Sequence, residues 1–391
     1  MDVLLVSVIA LTALALLFDF TNGFHDAANS ISTVVATRAL PARWAVLFSA
    51  FFNFAALFFV GTAVANTVAK VVKVDTVAVV FGALVAAIAW NYLTWWIGMP
   101  SSSSHAIIGG LLGAGLAVGG TDAINWSSVT KVAWAIVLSP AVAFTIAFAA
   151  TGLVWAIQKI TRWNDNHGAF KGLQLISAGA VSFGHGANDA QKTMGVIAAL
   201  LAGAGYISAD GKSIAVPMWV ELSAYSAIAL GTAWGGWKII ETMGLRITSL
   251  NAKIGVAANI GATTAIFGAT AMGIPISTTH AAASSVIGAG VGGRRGTNWR
   301  VVGEMAVAWV VTLPATAVVG YLLASLTKLP TVLAWIVITP IMVAIAVAIG
   351  FAMRHSIGAK DVEKEIPAEA VLESGAKTDV KTDVKPPSVP V

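Results

Sequence analysis

No cysteine occurs among the 391 residues, so disulfides and thiolate metal sites are excluded, and nothing about redox compartment follows. Charge is scarce. Asp, Glu, Lys and Arg make up 10% of the chain, against about 25% in an average soluble domain. A surface wetted on all sides cannot be built from that supply, which excludes a soluble enzyme or a nucleic-acid binder. No run of five or more basic residues exists to track a nucleic-acid backbone. The N-terminus also lacks the basic region of a secretory signal. Met1-Asp2 leads straight into the apolar stretch 3–18, with no plausible cleavage site before Asp19. That stretch is expected to remain as a membrane segment.

Apolar residues supply 57% of the chain, with mean hydropathy +0.83. They fall in segments at 3–18, 24–37, 42–66, 76–97, 100–118, 129–157, 172–203, 217–237, 254–272, 275–291, 301–327 and 329–352. A helical span takes about 20 apolar residues. The runs are continuous rather than alternating, which points to helices and not to barrel strands. Segment 24–37 is short for a span and is expected to join 3–18 as a broken helix interrupted at Asn22-Gly23. After Met353 the composition turns to Lys, Glu, Asp and Pro, and a disordered polar tail is expected over 353–391.

The chain repeats itself. Gly98-Met-Pro-Ser-Ser-Ser-Ser-His105 returns as Gly273-Ile-Pro-Ile-Ser-Thr-Thr-His280, and Asn22-Gly-Phe-His-Asp-Ala-Ala-Asn29 is answered by His185-Gly-Ala-Asn-Asp-Ala-Gln-Lys192. Two motifs recurring in the same order indicate a duplication. The expected domains are a first transmembrane repeat at 1–157, a cytoplasmic connecting loop at 158–171, and a second repeat with a C-terminal helix at 172–352. Five crossings per repeat place the second copy upside down. On that count twelve loop bases, from Arg38 to Arg354, share one side. Lys70, Lys73, Lys131, Lys212 and Lys328 share the other, so the first side is expected to be cytoplasmic. The net charge of +5 then reads as loop bases against anionic lipid. The fold class expected is an all-α polytopic membrane protein of two inverted repeats, with broken or hairpin helices meeting at a central anion site.

Polar residues inside a bilayer are costly and mark function facing an internal cavity. Asp26 and Asp189 are the equivalent acids of the two copies. The Pro-Ser-Ser-Ser-Ser and Pro-Ile-Ser-Thr-Thr runs suit helix starts, where unsatisfied N–H groups, the helix dipole and hydroxyl donors together attract an anion. Ser and Thr also serve as interhelical hydrogen-bonders. His25, beside Asp26, suits a proton-coupled cycle; His105 and His280 read equally as satisfied spacers. Lys192 lies on the helical face of Asp189 and pairs with that acid or with the anion. No His/carboxylate spacing is diagnostic of a resident metal, and no cofactor is expected. Gly109, Gly110 and Gly113 suit close helix contacts within or between subunits, so a homo-oligomer is compatible with the sequence.

These motifs resemble the inorganic phosphate transporter (PiT) family, and most closely its bacterial low-affinity phosphate permeases. Asn22 to Asn29 looks like the first family signature, and Phe183-Gly-His-Gly-Ala-Asn-Asp-Ala-Gln-Lys192 like the second. The likeness spans roughly residues 18–314. It implies a multi-pass protein of the bacterial inner membrane, importing inorganic phosphate bound between inverted repeats by symport with a cation. Carried over by motif, the phosphate site would use Asp26, Asn29, Ser102, Ser103 and Ser104 from one half, and Asp189, Ser277, Thr278 and Thr279 from the other.

The coupling residues would be His25, Asp26, Asp189 and Lys192. Sodium-coupled relatives typically carry Asn where this chain has His25 and Lys192. An ammonium brings its own positive charge, so Lys192 is expected to stand in for a bound sodium while a proton drives uptake through His25 and Asp26. Sodium coupling, sulfate as substrate and a divalent metal carried with phosphate remain the alternatives within the family. Phosphate near neutral pH keeps a P–OH donor for a carboxylate, whereas sulfate has none. From other classes, an intramembrane serine hydrolase needs one nucleophile paired with one base. A passive anion channel would carry only downhill flow.

Overall fold

The computed structural model describes residues 2–73, 76–165, 167–208 and 213–366. Through them run α1 (Val3–Ala36), α2 (Ala42–Ala55), α3 (Ala63–Ala69), α4 (Val77–Ile97), α5 (Ser103–Gly119), α6 (Trp126–Thr161) and α7 (Gly168–Gly203). They continue as α8 (Met218–Trp234), α9 (Trp237–Glu241), α10 (Ala252–Ala271), α11 (Thr278–Gly292), α12 (Trp299–Leu326), α13 (Thr331–Arg354) and α14 (Ala359–Glu365). Among the described residues, β structure is limited to the isolated bridges Val72–Ile124 and Thr248–Thr297.

Seven of these helices are long and apolar enough to cross a membrane; α2 and α3, bent by 87° at their junction, make an eighth candidate. The usual distribution of polarity is inverted. Asp19, Asn22, His25, Asp189 and Lys192 are fully buried, while Phe58, Phe59, Ile160, Val310 and Trp335 stand exposed. Apolar side chains directed outward in such numbers need lipid around them, and buried polar ones need each other. The protein is a multi-pass integral membrane protein.

The order α1–α6 is repeated by α7–α12, and the copies exchange arms. α5 packs on α12 as α11 packs on α6, α4 on α12 as α10 on α6, and α8 on α1 as α2 on α7. The copies are inverted. Thr37 at the C-terminal end of α1 donates to Gln174 near the start of α7 (2.9 Å). At the opposite end, Leu201 of α7 shares a cavity with Leu5 and Val8 of α1. Equivalent helices therefore run antiparallel, as a half-turn about an axis in the membrane plane requires.

In each repeat two helices form a hairpin that points inward. The base of α4–α5 is tied at one end of the molecule by Lys73 N–H to Ala123 O (2.7 Å) and Asn125 N–H to Val71 O (3.0 Å). The base of α10–α11 is tied at the other by Asn298 N–H to Ile247 O (2.8 Å). Both tips turn on a left-handed glycine, Gly98 (φ 71°) and Gly273 (φ 66°), which ends the outgoing helix. The tips meet: Ser104 Oγ donates to Ile276 O at 2.8 Å.

Two expectations need correction. α1 is not broken at Asn22-Gly23; it is helical without interruption from Val3 to Ala36. A methyl group on Gly23 would overlap the Ile228 carbonyl oxygen of α8, and one on the equivalent Gly186 would overlap the Asn53 carbonyl oxygen of α2. These glycines admit a neighbouring backbone, and the helical hydrogen bonds pass through them intact. The tail is also not wholly without structure. Val362 and Ile366 are buried, so an apolar pair at i, i+4 docks α14. Glu363 accepts from the Arg38 guanidinium through its carbonyl (2.8 Å), and its carboxylate accepts from Ala42 N–H at the start of α2 (2.9 Å). Lys212, counted in the charge asymmetry, and residues 367–391 lie outside the described residues.

Candidate functional site

α1 and α7 cross at the middle of the molecule and carry the two acids, and the tips of the hairpins bring the hydroxyls. Ser102 and Ser277 cap α5 and α11: each side-chain oxygen accepts from the N–H three residues on, His105 and His280, at 3.1 Å. The first-turn N–H groups of both helices lack intrahelical partners, so two positive helix ends converge on the space between Asp26 and Asp189.

Most of the residues expected at this site do assemble there. Asp26 Oδ1 contacts His25 Nδ1 at 2.5 Å and accepts from Ser103 Oγ at 3.4 Å. Thr278 Oγ1 lies between the acids, 3.4 Å from Asp26 Oδ2 and 3.2 Å from Asp189 Oδ2. Asn29 reaches across to α11, donating to Thr278 Oγ1 (3.2 Å) and Thr279 Oγ1 (3.1 Å). Its counterpart Lys192 reaches across to α5. The Lys192 ammonium donates to Asp189 Oδ1 (2.6 Å), to Ile276 O (3.0 Å) and to Ser104 Oγ. None of these side chains is more than 4% exposed.

Several participants went unassigned in the sequence. Asn22 donates to Asp189 Oδ2 at 3.4 Å, and Thr94 Oγ1 stands 3.0 Å from His25 Nε2. Asn188, the counterpart of His25, braces the second tip through Ile274 O (3.2 Å) and Ile276 N–H (3.3 Å). His185 Nε2 lies 3.6 Å from Asp189 Oδ2, its Nδ1 facing Asn53 Oδ1 at 3.2 Å. For Asn22, His185 and Asn188 the only signal was position in the duplicated motifs, about one turn or less from the acids; Thr94, outside them, carries none.

His105 and His280 do not face the carboxylates. Their rings meet edge to face, with centroids 4.5 Å apart, where the two tips touch. Both nitrogens of His105 are without a hydrogen-bond partner, so no hydroxyl is paired with this imidazole as a Ser-His nucleophile requires. Gly109, Gly110 and Gly113 make close contacts inside the chain, against Leu313, Ala83 and Ala317.

The arrangement can do two things chemically. Hydroxyls, amides and two helix ends around a paired ammonium suit a tetrahedral oxyanion, and carboxylates suit one that still carries a proton. Asp26, His185 and Asp189 also present three buried ligand atoms within 4.8 Å of one another, a set that can hold a cation.

Comparison with known proteins agrees with this geometry. The chain matches the phosphate transporter family over residues 22–167 and 156–320. It is 47% identical over 319 residues to a protein of Rhizobium meliloti described as "Probable low-affinity inorganic phosphate transporter", covering 80% of this chain and 94% of that one. It is 42% identical over 331 residues to a Bacillus subtilis protein of the same description, covering 82% and 97%. Among solved structures, one titled "The sodium-dependent phosphate transporter" superposes with a TM-score of 0.73 at 26% identity, over 83% of this chain and 99% of that one. Inverted repeats, paired acids and matched sequence converge: the chain belongs to the phosphate transporter family.

Proposed function

We propose that the protein imports inorganic phosphate as a proton-coupled symporter, its two repeats rocking about the central site so that each side of the membrane gains access in turn. The observation that carries the coupling is the environment of Lys192. A carboxylate, a hydroxyl and a backbone carbonyl oxygen surround its ammonium, an oxygen set of the kind a sodium ion would take. A covalently held cation in that place leaves the mobile charge to a proton, with His25 and Asp26 in contact to exchange it. The acids favour phosphate over sulfate, because an ionised carboxylate accepts from a P–OH and repels an oxyanion that has none.

The test is uptake of radiolabelled phosphate into proteoliposomes, with proton and sodium gradients imposed separately. We expect accumulation on an inward proton gradient without sodium, competed by unlabelled phosphate and not by sulfate. Uptake that requires sodium and ignores the pH gradient overturns the coupling. That second reading has support from the sodium-dependent structural relative. A divalent ion carried with phosphate would use Asp26, His185 and Asp189; stimulation of uptake by the divalent ion at constant pH is its signature.

A further inference from the structure

A buried acid of α1 takes no part in the site just described. Asp19 lies on α1, one turn before Asn22 and about 10 Å along the helix from Asp26 at 1.5 Å per residue. It is 0% exposed, and neither carboxylate oxygen has a hydrogen-bond partner. The possible donors beside it are Asn22 and Thr193, yet neither is within hydrogen-bond reach here: the Thr193 hydroxyl is itself buried without a partner. So is the hydroxyl of Tyr225 on α8, which is within electrostatic reach of both Asp19 and Glu221. Glu221, one turn from Tyr225, is half-buried at the outer end of α8. The fold does not demand an acid here. The equivalent residue of the second repeat is Ser182, whose hydroxyl is satisfied by Ala178 O at 2.8 Å.

A fully buried carboxylate without a donor is costly as an anion and far less so as a neutral acid. We propose that Asp19 is a proton-binding site that couples proton entry to phosphate binding, reached from the Glu221 end of α8 past Tyr225. This rests on the proton-coupled reading above and adds to the His25–Asp26 pair a second place where a transported proton is held. The proton passes from water at the Glu221 end to a carboxylate oxygen of Asp19 and leaves it when the site opens to the other side.

The charged and titratable groups around Asp19 are His25 and Asp26 on its own helix, Asp189 and Lys192 of α7, and Tyr225 and Glu221 of α8. α4, packed on the same stretch, contributes only Tyr92. Ionised, Asp19 is a third buried carboxylate in the field of a single ammonium, Lys192, and opposes entry of an anion. Neutral, it removes that charge. Proton and phosphate therefore bind with positive coupling, and by linkage each raises the affinity for the other.

The experiment uses the full chain in proteoliposomes with radiolabelled inorganic phosphate. Exchange of phosphate without a proton gradient is compared with accumulation on an inward one, for wild type, Asp19→Asn and Asp19→Glu. We expect Asp19→Asn to keep exchange but to lose about tenfold in accumulation per pH unit of gradient, the contribution of the one proton Asp19 holds. Asp19→Glu restores accumulation. Infrared difference spectra of the wild type should show a protonated carboxyl that shifts in Asp19→Glu, a readout that does not depend on Asp19→Asn folding.

Proton-driven accumulation by Asp19→Asn equal to wild type overturns the assignment, as does absence of the protonated carboxyl in wild type. Parallel loss of exchange and accumulation in both variants also overturns it, since that marks a structural role. Wild type driven by sodium and insensitive to pH removes the coupling reading itself. Wild type driven by pH alongside an unaffected Asp19→Asn removes only Asp19.

Discussion

α1 and α7 hold equivalent places in the two repeats, yet they carry different side chains. Each presents an acid to the centre, Asp26 and Asp189, and each sends a residue one turn later across to the opposite hairpin tip. From α1 that residue is Asn29, which meets Thr278 and Thr279; from α7 it is Lys192, which meets Ser104 there and Ile276 O of its own repeat's tip. Asp26 is paired with an imidazole beside it in sequence, Asp189 with an ammonium. The backbone symmetry thus builds one site from two halves, and the departures from symmetry differentiate the halves, one pairing its acid with an ammonium and the other with an imidazole. Asp19 opposite Ser182 belongs to the same set of departures.

The strongest way to break this comparison is to neutralise the shared feature. Asp26→Asn and Asp189→Asn should each abolish phosphate uptake while the protein stays inserted in the membrane; wild-type accumulation by both would remove the acids from the site. Restoring symmetry is the next test. Lys192→Asn matches Asn29, and we expect proton-driven uptake to fall and stimulation by sodium to appear. Lys192→Met instead strands a buried carboxylate, at a cost of about 3–5 kcal/mol, measurable by thermal unfolding in detergent.

The packing pair should respond alike. Gly23→Ala and Gly186→Ala each force a methyl into a neighbouring carbonyl, and overpacking of that kind costs about 1–3 kcal/mol. A large loss in one and none in the other would show that the repeats are not equivalent there. The capping pair comes lower: Ser102→Ala and Ser277→Ala should each cost about 1 kcal/mol. A loss of phosphate affinity beyond that instability would place the hydroxyl on the anion as well.

The smallest effect lies at the loop between the repeats. Burial by itself would raise the Asp165 carboxyl, but hydrogen bonds from Lys253 and Gln158 and the charges of Lys253 and Arg295 hold it below its ordinary value. A depressed acid contributes stability above its unfolded value and loses it as pH falls through its folded value. Acidification should therefore loosen the tie from Asp165 to Lys253 and Asn251. Asp165→Asn should remove that part of the acid dependence in an unfolding series over pH.

Much of the site was legible because it occurs twice. Asp26 and Asp189, the Ser/Thr runs and the three-residue step to Lys192 stand out as recurring polar positions in an apolar chain, where polarity has a cost. Other features depend on neighbours distant in sequence. Asn22-Gly23 reads as a helix breaker, yet Gly23 is there because the backbone of α8 lies against it. His105 and His280 read as satisfied hydrogen-bonding spacers, yet the tips turn the two rings on each other and leave both nitrogens of His105 without a partner. Ser102 resembles Ser103 and Ser104 in a run of four, and only the start of α5 distinguishes the cap from the hydroxyls that meet Asp26 and Lys192.

Composition and pattern alone determined that the chain lives in lipid, that it is helical and duplicated, and that each copy supplies an acid and a hydroxyl-bearing helix start. These follow from the cost of burying polar groups in hydrocarbon and from the local conformations of Pro, Gly and Ser. The tertiary structure decided which groups meet: that α5 leans on α12 rather than on α6 of its own repeat, that Lys192 reaches Ser104, and that Asp19 is left without a hydrogen-bond partner. Those contacts join residues more than 80 positions apart, or leave a buried group without a partner. They depend on how inverted copies interlock, which no local pattern specifies.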